Sequence, residues 1–279
     1  MIGDLLEEIV AAQLETFCAQ RGLYLDKKGV RGRARTGKKV SWQDKFDNAH
    51  DLDFVIEKGG DADQRGRPLA FIEAAWRRYT KHSRNKAQEI QGAILPVAEK
   101  YTWDQPFLGA VLAGVFTEGS LVQMRSSGFE VTLLPYNVMV DAFSCVGVSL
   151  AFDENTPDAE FAKIIAKIKK LSAAKNTLLR ARLVADNRMV LDTFFAGLDK
   201  VLTRKIDTVM CIPLHGRSNE FSSIHAAIDF IRGYDTAALN TVGFRKFEVI
   251  VRYNNLDKID ASFENADKAL EFLHYISGA

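Results

Sequence analysis

The segment from His50 to Gln91 constrains the fold most, because it joins two apolar, strand-like runs to a strongly basic helix. The two runs, Asp51–Glu57 and Leu69–Trp76, each carry acidic residues. A polar turn rich in Gly, Asp and Pro separates them and favours an exposed hairpin connection. The segment therefore predicts two antiparallel strands that carry carboxylates, followed by a helix that carries cations.

Hydrophobic periodicity predicts a mixed α/β fold for the first half of the chain, with a mixed β-sheet flanked by helices. The nearly continuous apolar run Phe107–Phe116 is typical of a strand covered on both faces. The expected elements are a helix at Ile2–Arg21, strands at Leu52–Glu57 and Leu69–Ala75, a helix at Ser83–Lys100, a strand at Phe107–Phe116, a short helix at Ser120–Ser127, a strand at Phe129–Leu134 and a helix at Tyr136–Phe143.

A polar stretch at Ala151–Asp158 indicates a boundary, so we expect a core domain at 1–150 and a C-terminal helical and α/β extension at 151–279. The extension is predicted to start with two long helices and to continue as an alternating tail. Its expected elements are helices at Asp158–Leu183 and Asn187–Leu202, a strand at Ile206–Ile212, a helix at Ser223–Arg232, a strand at Phe247–Tyr253 and a helix at Asn265–Ser277.

Composition and cysteine usage predict a cytoplasmic protein without a membrane segment. Apolar residues make up 47% and charged residues 26% of the chain, and no apolar run reaches the roughly 18 residues of a membrane span. Cys18, Cys145 and Cys211 are far apart in apolar neighbourhoods, which predicts reduced core thiols.

Basic side chains concentrate in two places although the net charge is only +1. The stretch Lys27–Lys39, called the basic segment below, holds seven positive side chains and no acidic one. We expect it to be a mobile loop that contacts phosphate, the alternative being a merely solvated surface loop. The predicted DNA contacts here and after the second strand are Lys27, Lys28, Arg31, Arg33, Arg35, Lys38, Lys39, Arg77, Arg78 and Arg84.

Carboxylates on the two predicted strands form a candidate metal site. Pairing through the turn would bring Asp53 and Glu73 together, with Asp51 on the same strand face as Asp53 in a supporting role. Such hard oxygen ligands suit Mg²⁺. The alternative places all three on the surface of an edge hairpin, but Glu73 lies in an apolar run, where an unpaired carboxylate is costly.

This arrangement resembles the PD-(D/E)XK nuclease superfamily, which includes most type II restriction endonucleases, over roughly residues 1–135. The resemblance implies a core in the order α-β-β-β-α-β, with Asp53 and Glu73 as metal ligands and a contribution from Glu7 or Glu8. It also implies hydrolysis of phosphodiester bonds in double-stranded DNA by a Mg²⁺-dependent endonuclease.

One position departs from the motif, since Ala75 stands where the superfamily has a catalytic lysine. Three explanations are open: an engineered Lys-to-Ala change, a cation supplied from elsewhere by Lys81, Lys86 or Arg77, or a natural pseudonuclease that binds without cutting.

Specificity is expected to reside in the extension, as a DNA-recognition or dimerisation region. Arg217 and Asn219 are of types that contact base edges. Cutting both strands needs two sites, so a homodimer or a paired nuclease subunit is expected. A sequence-specific restriction enzyme is the expected function. The alternatives are a DNA-binding pseudonuclease, a repair or junction nuclease, and an α/β protein unrelated to DNA.

Overall fold

The computed structural model describes residues 2–80, 83–150, 156–214, 216–237 and 243–278. Those residues form two compact units, Met1–Thr102 with Pro106–Asp199, and Trp103–Gln105 with Lys200–Ala279. The division therefore falls after Asp199 rather than at the predicted residue 150, because the helices expected to open the extension belong to the first unit. Within the described ranges, every helix is too short or too polar to cross a membrane.

The first unit contains seven α-helices and seven strands among its described residues. They are α1 (Ile2–Ala19), β1 (Tyr24–Lys27), β2 (Val40–Gln43), β3 (Ala49–Leu52), β4 (Phe54–Lys58), β5 (Arg67–Arg77), α2 (Ser83–Ala98), β6 (Phe107–Gly114), α3 (Glu118–Ser126), β7 (Phe129–Pro135), α4 (Tyr136–Ser144), α5 (Asp158–Lys169), α6 (Ala173–Asp186) and α7 (Arg188–Leu202).

The central sheet has the strand order β1-β4-β5-β6-β7. Strands β1, β4 and β5 pair antiparallel, whereas β5, β6 and β7 pair parallel. This confirms the predicted mixed α/β fold. Helix α1 packs on β5, as does α2, and α4 packs on β6 and β7. Strand β5 therefore lies in the middle of the sheet and is covered by helices, which explains why it is apolar between its terminal arginines except at Glu73.

A small hairpin, β2 with β3, lies outside the central sheet. Trp42 on β2 anchors it, since this side chain is buried and its ring lies edge-on to Phe71 of β5 at 5.9 Å and to Tyr101 at 5.7 Å. This hairpin and β1 were not predicted, because four-residue strands give too short a pattern to recognise.

The predicted helix Asp158–Leu183 is two helices, α5 and α6. The break follows from Ser172, whose side chain accepts a hydrogen bond from the backbone N–H of Lys175 and so starts α6 afresh. The other predicted elements of this unit occur within a few residues of their expected bounds.

The second unit is an antiparallel sheet with two helices. Its elements are β8 (Ile206–Pro213), β9 (Asn219–Phe221), α8 (Ile224–Gly233), β10 (Phe247–Tyr253), β11 (Lys258–Phe263) and α9 (Ala266–Ser277), and the strand order is β11-β10-β8-β9. Val249, Phe247 and Phe272 lie in its core. The predicted tail strands and helices are confirmed, and β9 and β11 are additional.

Two of the three cysteines match the prediction of core thiols. Cys18 and Cys211 are buried, and burial raises the pKa of each thiol to about 12. Cys145 is exposed, so the prediction is wrong for that residue; it directly follows the last residue of α4, beyond the packed face of that helix.

Candidate active site

Asp53 and Glu73 lie side by side at the junction of β4 and β5. Phe54 pairs with Ile72 in the antiparallel register, so Asp53, one residue earlier, lies opposite Glu73. The backbone N–H of Asp53 donates to Glu73 Oε1 at 3.0 Å, and the backbone N–H of Ala74 donates to Asp53 Oδ2 at 2.9 Å. These reciprocal hydrogen bonds fix both carboxylates at the edge of the same strand pair, as the sequence predicts.

Glu73 is almost fully buried, with 6% of its surface exposed. Burial, and after it the negative charge of Asp53, raise the pKa of Glu73 to about 8 against the opposing positive charge of Lys86. The sheet thus holds a carboxyl that lacks enough neighbouring positive charge to stay ionised. A divalent cation between Asp53 and Glu73 would supply that charge.

Lys86 is the cation that the structure brings to this pair. It lies in the first turn of α2, which packs on β5, and its side chain is 15% exposed. Its Nζ donates to Glu89 Oε1 at 2.7 Å, while its charge still lowers the pKa of Glu73. The sequence missed Glu89, although its spacing of three residues from Lys86 on a helix is a recognisable signal.

Arg77 and Lys81 are the other two cations proposed to replace the missing lysine. Arg77, at the end of β5, has its guanidinium 3.7 Å from Glu89, and Lys81 lies outside the described residues. Ala75 is 3% exposed and packs in the apolar core with Phe71 and Ala87. The side chain of a lysine at position 75 would therefore leave the backbone among apolar side chains. This favours a cation supplied by α2 over a lysine lost from β5.

Glu7 on α1 completes the acidic side of the site. Its pKa is raised by burial, lowered by a hydrogen bond from Lys28, and raised by the charge of Asp53. Lys28 Nζ lies 2.5 Å from Glu7 Oε2. Glu8 instead pairs with Arg180 of α6, so of the two glutamates only Glu7 belongs to the site. Lys28, predicted as a DNA contact, belongs to the basic segment and connects it to the site through Glu7. About half of the Lys28 side chain remains exposed.

Asp51 does not share a strand face with Asp53, which corrects the predicted arrangement. The main-sheet strand β4 starts only at Phe54, and Asp51 belongs to the separate β2–β3 hairpin. Its carboxylate is exposed and pairs with Lys39, another predicted DNA contact.

Carboxylate partners bury two cations of the basic segment, so the predicted phosphate contact is wrong for Arg31 and Arg35. Arg35 has a fully buried side chain that contacts Glu57 at 2.5 Å and Asp26 at 3.4 Å. Arg31, 2% exposed, pairs with Asp26 at 2.6 Å. Neither guanidinium can reach DNA in this structure, because acids brought in by β1 and β4 hold both in the interior.

The other cations of the basic segment remain on the surface. Lys27 pairs with Glu15 across exposed positions, Arg33 pairs with Asp63 while 91% exposed, and Lys38 is exposed. These surface ion pairs are weak and exchangeable.

The remaining predicted contacts fall in three places. Arg84 is exposed at the start of α2, and Arg78 lies with its guanidinium 4.0 Å from the centroid of the Tyr79 ring. Arg217 is exposed in the second unit, and Asn219 at the start of β9 donates to the Arg217 carbonyl at 2.8 Å. Arg217 therefore lies just before β9 and Asn219 at its first position, and both belong to a different compact unit from Asp53 and Glu73.

Among the described residues, no group of three or more histidine, cysteine, aspartate and glutamate side chains is arranged to hold a metal ion. The site offers two adjoining carboxylates, Asp53 and Glu73, with Glu7 nearby. Mg²⁺ commonly binds in this way, through one or two carboxylates, with waters and substrate phosphate oxygens as its other ligands.

Comparisons with known proteins add little to this geometry. No family model and no curated protein matches the sequence. A solved structure, that of the protein of unknown function AF1548, aligns with 67% of this chain and 98% of its own, at 13% identity and a TM-score of 0.31.

Proposed function

We propose that the chain is a Mg²⁺-dependent nuclease that hydrolyses phosphodiester bonds in DNA, with Asp53 and Glu73 as the metal ligands. The observation that carries this proposal is the pair itself, a buried Glu73 beside a half-buried Asp53, held by two backbone hydrogen bonds and short of positive charge. The order of α1, β1, β4, β5, α2 and β6 also agrees with the α-β-β-β-α-β core of the PD-(D/E)XK superfamily that the sequence resembles.

Each side chain has a distinct part in the proposed reaction. When bound, Mg²⁺ would activate a water and neutralise charge on the phosphate. Asp53 and Glu73 hold that ion, and Glu7 adds negative charge on the α1 side. Lys86 replaces the lysine absent at position 75 by placing an ammonium toward the phosphate. Lys86 would exchange its 2.7 Å contact with the exposed Glu89 for the phosphate when substrate binds.

The proposed function also implies an oligomeric state and a set of DNA contacts. A restriction-type enzyme would act in the cytoplasm as a homodimer or paired subunit, since the described part of each chain holds one such site. Exposed cations such as Lys28, Lys38 and Arg84 would contact the backbone of double-stranded DNA.

Plasmid cleavage in Mg²⁺ tests the proposal. The wild-type protein should nick or linearise supercoiled DNA. Asp53→Asn and Glu73→Gln should each reduce the cleavage rate at least about a hundredfold while leaving DNA binding intact. Glu15→Gln, an exposed carboxylate on α1, is the matched control and should cut normally. Full activity in either site variant would refute the assignment of the metal ligands.

The role of Lys86 is tested in the same assay. Lys86→Ala should lose most activity and Lys86→Arg should retain part of it, because the positive charge of the side chain matters more than its exact shape. Ala75→Lys distinguishes the explanations for Ala75, provided its stability is measured alongside, since position 75 is buried. Cutting only by Ala75→Lys would indicate an inactivated strand lysine instead.

A non-catalytic DNA-binding protein is the second candidate, and Ala75 is the observation that favours it. That protein would bind DNA tightly, with or without Mg²⁺, and neither it nor Ala75→Lys would cut. A nuclease of repair or junction type would cut branched or damaged DNA in preference to one duplex sequence.

A further inference from the structure

A cavity of about 470 Å³ opens beside the carboxylate site, at the end of β5, the start of α2 and α5. Aromatic and cationic side chains dominate its lining. They are Trp76, Tyr79, Phe161, Arg77, Arg78 and Lys86. Lys86 lines the cavity and its charge also acts on Glu73, so this residue links the cavity to the place where the reacting phosphate would bind.

The aromatic side chains form a prepared stacking surface. The Arg78 guanidinium lies 4.0 Å from the centroid of the Tyr79 ring and 4.6 Å from that of Phe161. Trp76 is held by a stacked contact with Tyr136, with ring centroids 6.3 Å apart and planes 28° from parallel. The three aromatic rings of the cavity are half-buried, so they are fixed by packing while part of each surface faces the cavity. A flat, π-bonded ligand would add to this stack with little loss of side-chain freedom.

The charges of the cavity suit a ligand that carries phosphate. The lining holds three cations, Arg77, Arg78 and Lys86, against one carboxylate, Glu89, so it keeps a positive excess. Glu89 contacts Lys86 at 2.7 Å and Arg77 at 3.7 Å, and a bound phosphate would take its place beside one of these cations. The exposed Asn85 adds an amide with donors and an acceptor at the rim. Aromatic rings beside this positive excess match a nucleotide, whose base stacks while its phosphate meets the cations.

We propose that this cavity binds an unpaired nucleobase of the strand whose phosphate lies at the Asp53–Glu73 site. This inference rests on the proposed nuclease function and narrows its substrate class. Bases inside a duplex are stacked on both faces and cannot enter, so the substrate has a single-stranded, frayed or flipped nucleotide next to the scissile phosphate.

Binding of oligonucleotides that contain the fluorescent base 2-aminopurine tests the proposal, in EDTA so that no cutting occurs. The wild-type chain should quench an unpaired 2-aminopurine and bind that strand more tightly than the matching full duplex. Phe161→Ala and Tyr79→Ala should lose the quenching and weaken binding of the unpaired strand roughly tenfold, with duplex binding unchanged. Tyr79→Phe keeps the ring and should behave as wild type.

Phe46→Ala removes an aromatic side chain that is 73% exposed and distant in sequence, and it serves as the control that should change nothing. Circular dichroism melting of each variant separates loss of stacking from loss of fold. Equal affinity for unpaired and paired DNA in wild type, or quenching that survives in folded Phe161→Ala and Tyr79→Ala, would overturn the proposal.

Failure of this inference and failure of the nuclease proposal give different results. Quenching that depends on Phe161 in a chain that never cuts supports the cavity and refutes catalysis. Cutting of intact duplex that is indifferent to Phe161→Ala and Tyr79→Ala refutes the cavity and leaves the metal site standing.

Discussion

Replacing Glu73 with glutamine removes a carboxyl that the fold favours in its neutral form. Glutamine keeps the shape of the side chain and the oxygen that accepts from the Asp53 N–H, but it cannot ionise. The variant should therefore resemble the wild type at acid pH and become the more stable protein as the pH rises. Loss of a proposed metal ligand would thus increase the stability of the metal-free protein.

The size of this effect follows from the pKa of Glu73, which lies at about 8 in the folded chain against an ordinary value of 4.5. Because the folded value is raised, the stability that protonated Glu73 contributes is complete below pH 4.5 and is lost as the pH rises through 8. At about 1.4 kcal/mol per pH unit of pKa difference, the full change is on the order of 5 kcal/mol. Water entry and local relaxation reduce such values, so we expect Glu73→Gln to gain at least about 2 kcal/mol on wild type between pH 5 and pH 9.

Urea unfolding of the metal-free protein at several pH values between 5 and 9 measures this directly. Glu15→Gln replaces an exposed carboxylate paired with Lys27 and should shift the free energy of unfolding by a small amount that barely depends on pH. A free-energy difference between Glu73→Gln and wild type that stays constant across the range would refute the argument, since it would mean that Glu73 ionises as freely in the fold as in the unfolded chain.

Three further outcomes are expected. Mg²⁺ at about 100 times its Kd should stabilise the wild type at pH 8 by about 2.7 kcal/mol and leave Asp53→Asn unchanged, as thermal melting would show; equal shifts in both proteins would place the ion elsewhere. Arg35→Met should lower the free energy of unfolding by about 3–5 kcal/mol, because it leaves the buried Glu57 without its cation and leaves Asp26 with Arg31 alone, whereas Arg33→Ala, at a 91% exposed side chain, should change it by less than about 0.5 kcal/mol. Only Cys145 of the three thiols is exposed, so a thiol reagent should react rapidly with one thiol in the native chain and with all three after denaturation, and a fast second thiol would contradict the burial of the others.

The pairing of Asp53 with Glu73 was predictable because the information is local. A Gly-rich turn joins two apolar runs, and alternation along strands then places the two carboxylates opposite each other. The long helices were predictable for the same reason, since their apolar periodicity lies within one segment.

The burial of Arg35 was not predictable, because its partners Asp26 and Glu57 lie on separate strands that meet only in the folded sheet. A run of cations in a sequence shows its own charge but not the acids that will face it. The choice of Glu7 over Glu8, and of Lys86 as the cation near Glu73, likewise depends on how α1 and α2 pack on β5.

The ion pairs of the basic segment change what that stretch offers to a polyanion. DNA binding gains free energy when protein cations displace the small ions condensed on phosphate. A cation already neutralised by an aspartate or glutamate must first give up that partner, so it contributes little to this release. The most basic stretch of the sequence thus presents little net charge at the surface, and its carboxylate partners would determine how steeply the proposed DNA binding depends on salt.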